Sequence, residues 1–96
     1  MSPGPKYKFR LYVAGDALNS AQARANLGLI CRTYLHHRHE IEIVDVFVEP
    51  KRALTDRIFM TPTLIKLAPA PAQRIVGTLS NVQPVLEALG LMAPAT

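Results

Sequence analysis

A chain of 96 residues, 49% of them hydrophobic, suits one small domain over 1–96 with flexible ends at 1–5 and 92–96, and its single cysteine cannot staple it. No apolar run is long enough to cross a membrane and the opening MSPGPKYK lacks a signal-peptide stretch, so a cytoplasmic location is expected. The net charge of +4 is scattered over the segments around Lys8, Arg24 and Lys51, without the dense basic stripe and interleaved aromatics of a nucleic-acid binder.

KYKFRLYVAG alternates, with Tyr7, Phe9, Leu11 and Val13 on one face and Lys8, Arg10 and Tyr12 on the other. It predicts a strand that Gly15 ends. Asp16 to Ser20 reads as a turn, in which the side chain of Asn19 or Ser20 caps a helix. Leu27, Ile30, Cys31, Tyr34 and Leu35 follow at helical spacing, and the helix should stop near His36. Ile41 to Val48 is rich in β-branched residues and apolar on both faces, which predicts a central strand of a parallel sheet. Pro50 fits the first position of a short helix with Ala53, Leu54 and Ile58 inward. TLIKL and RIVG read as two strands of a hairpin joined by APAPAQ. Ser80 or Asn81 caps a last helix containing Val85, Leu86 and Leu89. The order is βαβαββα, the α/β plan of a thioredoxin-like fold.

The chemistry of that fold is missing. Thioredoxins place a reactive cysteine pair at the end of the first strand; here that place reads AGDALNS. Cys31 sits on the apolar stripe of the first helix and has no second thiol to pair with, so it reads as structural. The redox reading through Cys31 is kept as the alternative. His36, His37 and His39 suit a helix C-terminus better than a zinc site, because no carboxylate or cysteine cluster completes four ligands. Asp45 reads as a structural carboxylate near a strand end, accepting amide hydrogen bonds or pairing with a nearby base. No catalytic residue, metal site or cofactor is nominated.

RLYVAGDALNS, IEIVDVFVEP, MTPTLIKLAPAPAQRIVGTLSN and VLEALGL together resemble the KaiB family of circadian clock proteins, from about Lys8 to Leu91. The resemblance implies a non-enzymatic regulator on a thioredoxin-like scaffold. Such proteins bind the ATPase ring of KaiC, and through it oppose KaiA and displace a histidine kinase. It also implies two forms: a thioredoxin-like βαβαββα monomer, and a βαββααβ ground-state tetramer in which the second half of the chain refolds. Partner-binding positions carried over are Gln22, Arg24, Glu42 and Arg57. Fold-switch positions are Tyr7, Pro62, Pro69, Pro71, Gly77, Ala88 and Gly90. X-Pro isomerisation takes tens to hundreds of seconds, so these prolines would gate such a change. Thr61-Pro62 is expected to be cis.

Several residues depart from the family pattern. Ala70 interrupts the usual run of three prolines. Ala88 and Gly90 replace glycine and aspartate, and Ala93 stands at an aromatic position. Glu42 replaces a lysine, and Gln22 and Ala25 replace basic residues of the first helix. Alanine favours a helix over glycine by roughly 1 kcal/mol, which points to the thioredoxin-like monomer as the resting form.

Overall fold

The alternation of KYKFRLYV is realised as β1 (Tyr7–Val13) in a computed structural model that describes residues 4–92. Residues 1–3 and 93–96 of the expected flexible ends, with Ala93, lie outside the described residues. The order continues α1 (Leu18–Tyr34), β2 (His39–Asp45), α2 (Pro50–Thr55), β3 (Thr63–Ala68), β4 (Gln73–Val76) and α3 (Val82–Ala88). This is the βαβαββα plan the sequence predicts. The four strands lie in the order β2-β1-β3-β4. β1 and β2 run parallel, with Leu11 opposite Ile43; β1–β3 and β3–β4 are antiparallel.

The pleat divides the side chains of β1 between two cores. Phe9, Leu11 and Val13 pack with Leu27, Ile30 and Leu35 of the α1 region and with Val85, Leu86 and Leu89 of the α3 region. Each such fully buried large side chain stabilises by roughly 1.5–3 kcal/mol. On the other face Tyr12, Val44 and Ile65 meet Ala53 of α2, so Tyr12 is as buried as its neighbours.

Four local expectations are corrected. β2 is an edge strand, not a central one: among the described residues it pairs only with β1, and Ile43 remains 37% exposed. The strand stops at Asp45, leaving Phe47 and Val48 in the turn beyond it. Asn19 and Ser20 lie inside α1 rather than capping it; Ala17 is the N-cap and makes no side-chain bond. Ser20 is buried and its Oγ accepts the Ala14 amide hydrogen at 3.0 Å, so it ties the helix to the preceding turn. Tyr34 and Leu54 point outward, since the narrow faces of α1 and α2 that meet the sheet are filled by Ile30, Cys31 and Ala53.

The C-terminal segment follows its helical period. Asn81 occupies the N-cap of α3 without a side-chain bond, and Pro84 falls in the first turn, where its missing N–H costs nothing. Beyond Leu89, Gly90 adopts φ 76°. The Leu91 amide bonds the Leu86 carbonyl at 2.8 Å and the Gly90 amide bonds the Glu87 carbonyl at 3.1 Å. That is a Schellman ending, which a glycine at this φ completes. Thr61-Pro62 is cis, as are Ala68-Pro69 and Ala70-Pro71 in the hairpin.

Candidate interaction surface

The turn from β1 into α1 is organised by a carboxylate instead of thiols. Asp45 Oδ1 accepts the Gly15 amide at 3.2 Å and the Phe47 amide at 2.9 Å, clamping the ends of β1 and β2 together. Gly15 has φ 53° there, a conformation that glycine adopts without a Cβ clash. Cys31 lies deep in α1, fully buried, and burial pushes its thiol up to about 11. The thiolate is the nucleophilic form, so burial disfavours the reactive state of this sulfur. His39 Nδ1 sits 3.0 Å from the Leu35 carbonyl, at the end of α1.

A charged network holds α2 on its face of the sheet. Arg10 on β1 donates from Nε to Glu42 at 2.8 Å and from Nη1 to Asp56 at 3.0 Å. Arg52 on α2 donates to both oxygens of Glu42, at 2.8 and 2.9 Å. Tyr12 donates its hydroxyl proton to Asp56, and its oxygen lies 3.2 Å from the Arg52 carbonyl. Hydrogen bonds from Arg52 first, then Arg10, hold the Glu42 carboxyl down at about 2. The Tyr12 bond lowers Asp56, while burial first and Asp56 second raise Tyr12. Glu42 stands 45% exposed, so water screens much of this attraction.

The predicted contact residues do not form one cluster. Gln22 and Arg24 stand exposed on α1, which covers one face of the sheet. Glu42 is bound to α2 on the opposite face, and Arg57 follows α2 with φ 55° and an exposed side chain. The fold-switch positions are also dispersed. Tyr7 is buried beneath Lys66, whose Nζ lies 5.8 Å from the ring centroid. Pro62 is buried before β3, Pro69 and Pro71 lie in the hairpin, Gly77 has φ 119°, and Ala88 is exposed at the end of α3. Two pairs come together: the Gly77 amide donates to the Pro62 carbonyl at 2.9 Å, and a Cβ on Gly90 would stand 4.0 Å from the Tyr7 hydroxyl.

Sequence reasoning missed an apolar end to the molecule. Phe47, Val48, Phe59 and Met60 are exposed, Phe59 by 88%. Phe47, Phe59 and Met60 line one groove of about 220 Å³; Phe59 and Met60 also line a second of about 390 Å³ with Arg57, Arg74 and Val76. The available signal was two apolar pairs, each one residue short of a proline: Phe47 and Val48 at the end of the run read as a strand, and Phe59 and Met60 outside any helical or strand period.

Comparison with known proteins gives these features a context. Residues 10–91 match the model of the KaiB domain. Circadian clock protein KaiB3 of Synechocystis sp. is 45% identical over 83 residues, covering 86% of this chain and 81% of that protein. The N-terminal domain of Synechococcus elongatus SasA superposes with a TM-score of 0.73 at 17% identity, covering all of this chain (100%) and 94% of that one. Chloroplastic thioredoxin z superposes with a TM-score of 0.75 at 18% identity, covering 93% and 80% respectively. The fold is thus thioredoxin-like, and on the family match and the identity to KaiB3 the chain belongs to the KaiB family of circadian clock proteins.

Proposed function

We propose that this chain is a non-catalytic, KaiB-type regulator that binds a KaiC-like ATPase ring, and that KaiA or a histidine kinase is affected only indirectly. The family match over nearly the whole chain carries this reading. A thioredoxin-like frame with no sulfur at the β1–α1 turn supports it, because that frame offers surface without redox chemistry. Gln22, Arg24, Glu42 and Arg57 are the proposed ring contacts. Glu42 differs in charge from the family's lysine, but Arg10 and Arg52 neutralise it, so repulsion or attraction at that point is reduced. The thioredoxin-like monomer is the proposed resting form, and Tyr7, Pro62, Pro69, Pro71, Gly77, Ala88 and Gly90 are the positions that would set its balance with the tetrameric one.

The redox alternative has little support in the geometry, since Cys31 is buried and its thiol neutral. Pull-down of each KaiC-like ATPase of the source organism by the tagged protein tests the proposal. Capture of at least one ring, abolished by Arg57→Glu, is the expected result. Capture of none, together with insulin reduction that depends on Cys31, would reverse the assignment.

A further inference from the structure

We propose that residues 77–91 form a strap that lifts off the sheet as a unit, with Leu79 as a strained plug. Asn26 of α1 is the latch that sets how often the strap opens. Opening bares the sheet face beneath α3, where Phe9 and Leu64 are buried and Lys66, the cross-strand partner of Phe9, is 4% exposed.

The plug is unusual in its backbone. Leu79 lies between β4 and α3 at φ 63° and is 4% exposed, packed in one core with Leu27 and Leu86. A leucine in the left-handed region crowds its Cβ against the following carbonyl, so the loop stores strain that burial must outweigh. Gly77, two residues earlier, has φ 119°, and a Cβ built there would meet nothing within 4 Å. The chain swings at that point without striking a side chain.

The latch reaches the plug from a distant part of the chain. Asn26 Nδ2 donates to the Thr78 carbonyl at 2.8 Å, across 52 residues of sequence, and lies 3.4 Å from the Ser80 hydroxyl oxygen. The Thr78 and Ser80 hydroxyls bond each other at 2.6 Å. One side-chain amide therefore grips the loop on both sides of Leu79. It holds in place a conformation that the backbone alone disfavours.

α3 does not stand without its docking. It spans seven residues, Val82–Ala88, and its N-cap Asn81 makes no side-chain bond. A helix this short does not persist alone in water. Once Leu79 leaves its pocket and Asn26 lets go, Val85, Leu86 and Leu89 lose their hold on the core together. The pairing of β1 with β2 does not pass through the strap, so it outlasts the opening.

The strap requires neither ring binding nor a tetramer, so the outcome of either leaves it untouched. Amide hydrogen exchange of the full chain, followed by NMR under folding conditions, tests it. The Leu89, Gly90 and Leu91 amides bond within the strap and should exchange through one shared opening, faster than the amides of β1. Asn26→Ala should quicken them about tenfold, the effect of losing one or two hydrogen bonds, and change the β1 amides by less than about twofold. Asn26→Asp keeps the shape, loses the donor and should act alike. Leu79→Ala should also quicken the strap, and Leu79→Gly should do so about threefold less, because glycine rests at φ 63° without strain. At an ordinary φ that order is reversed. Strap amides as slow as those of β1 in the unaltered chain would overturn the strap. So would β1 and strap amides that quicken equally in the Asn26 variants, strap amides that those variants leave unchanged, or glycine no better than alanine at position 79.

Discussion

At the scale of single residues, Glu42 shows how a reversed charge becomes part of the structure. Its carboxylate is held at about 2, against an ordinary 4.5, by Arg52 and Arg10. A carboxyl depressed on folding stabilises the folded chain above its unfolded value. That contribution fades as pH falls from about 4.5 toward about 2. Asp56 is shifted in the same direction. Melting temperature should therefore drop through this acid range, and Glu42→Gln should flatten the drop. Because Glu42 is partly exposed, the loss at neutral pH should be modest, about 0.5–1 kcal/mol, and smaller in high salt. Calorimetry from neutral to acid pH checks both. Glu42→Lys should do worse than Glu42→Gln, since it sets a third cation beside Arg10 and Arg52. Cys31 makes the opposite kind of statement. Its thiol is neutral and sealed, so a thiol reagent should label the unfolded chain and leave the native one unlabelled. Cys31→Ser should destabilise by roughly 1–3 kcal/mol through a buried hydroxyl, with partner binding retained.

At the scale of elements, a helix and a strand depart from expectation for different reasons. α1 runs 17 residues, begins at an uncapped Ala17 and has no acidic residue in its first turn. Ala17 has φ −52° and ψ 142°, which an N-cap side chain tolerates. Ala17→Asp should supply both the missing acceptor and a favourable charge, raising stability by about 1 kcal/mol in a denaturant titration. What the sequence made legible was period: β1, α1, the hairpin and α3 each repeat their apolar residues at the spacing of the element they form. Ser20 was misplaced because a serine before a helix looks like a cap, while its bond to Ala14 depends on a turn that only the fold defines. β2 was misplaced because an apolar run does not reveal whether both faces are covered. Its first half feeds the core beside α1 through Ile41, whereas Phe47 and Val48 are surplus to any core and stand at the surface. The network around Glu42 was invisible for a topological reason. Arg10 and Glu42 are 32 residues apart, Arg10 and Asp56 are 46, and no local spacing announces such pairs.

At the scale of the whole molecule, the question is how firmly the thioredoxin-like arrangement is held against the tetrameric form of the family. α3 is the element that the proposed tetrameric form would give up. Its stripe of Val85, Leu86 and Leu89 is buried against α1 and the sheet, and Leu91 packs on the same core. The Schellman ending fixes Gly90 at φ 76°, next to Tyr7. A strand through the same residues would lose this ending and split the stripe between two faces. Ala88→Gly should cost up to about 1 kcal/mol of helix stability. Gly90→Asp should cost about 1 kcal/mol more, because a non-glycine residue enters the left-handed region. If the gap between the forms is about 3 kcal/mol, the minor form holds just under about 1% of the chains. Lowering the gap by about 2 kcal/mol raises the ratio of minor to major form roughly 30-fold, since each 1.4 kcal/mol is tenfold. The double variant should then show a second set of amide resonances, or a tetramer growing slowly on gel filtration, where the unaltered chain is expected to elute as a monomer. A tetramer from the unaltered chain, with residues 82–88 in a strand, would place the gap on the other side of zero and remove α3 from its role as the lock.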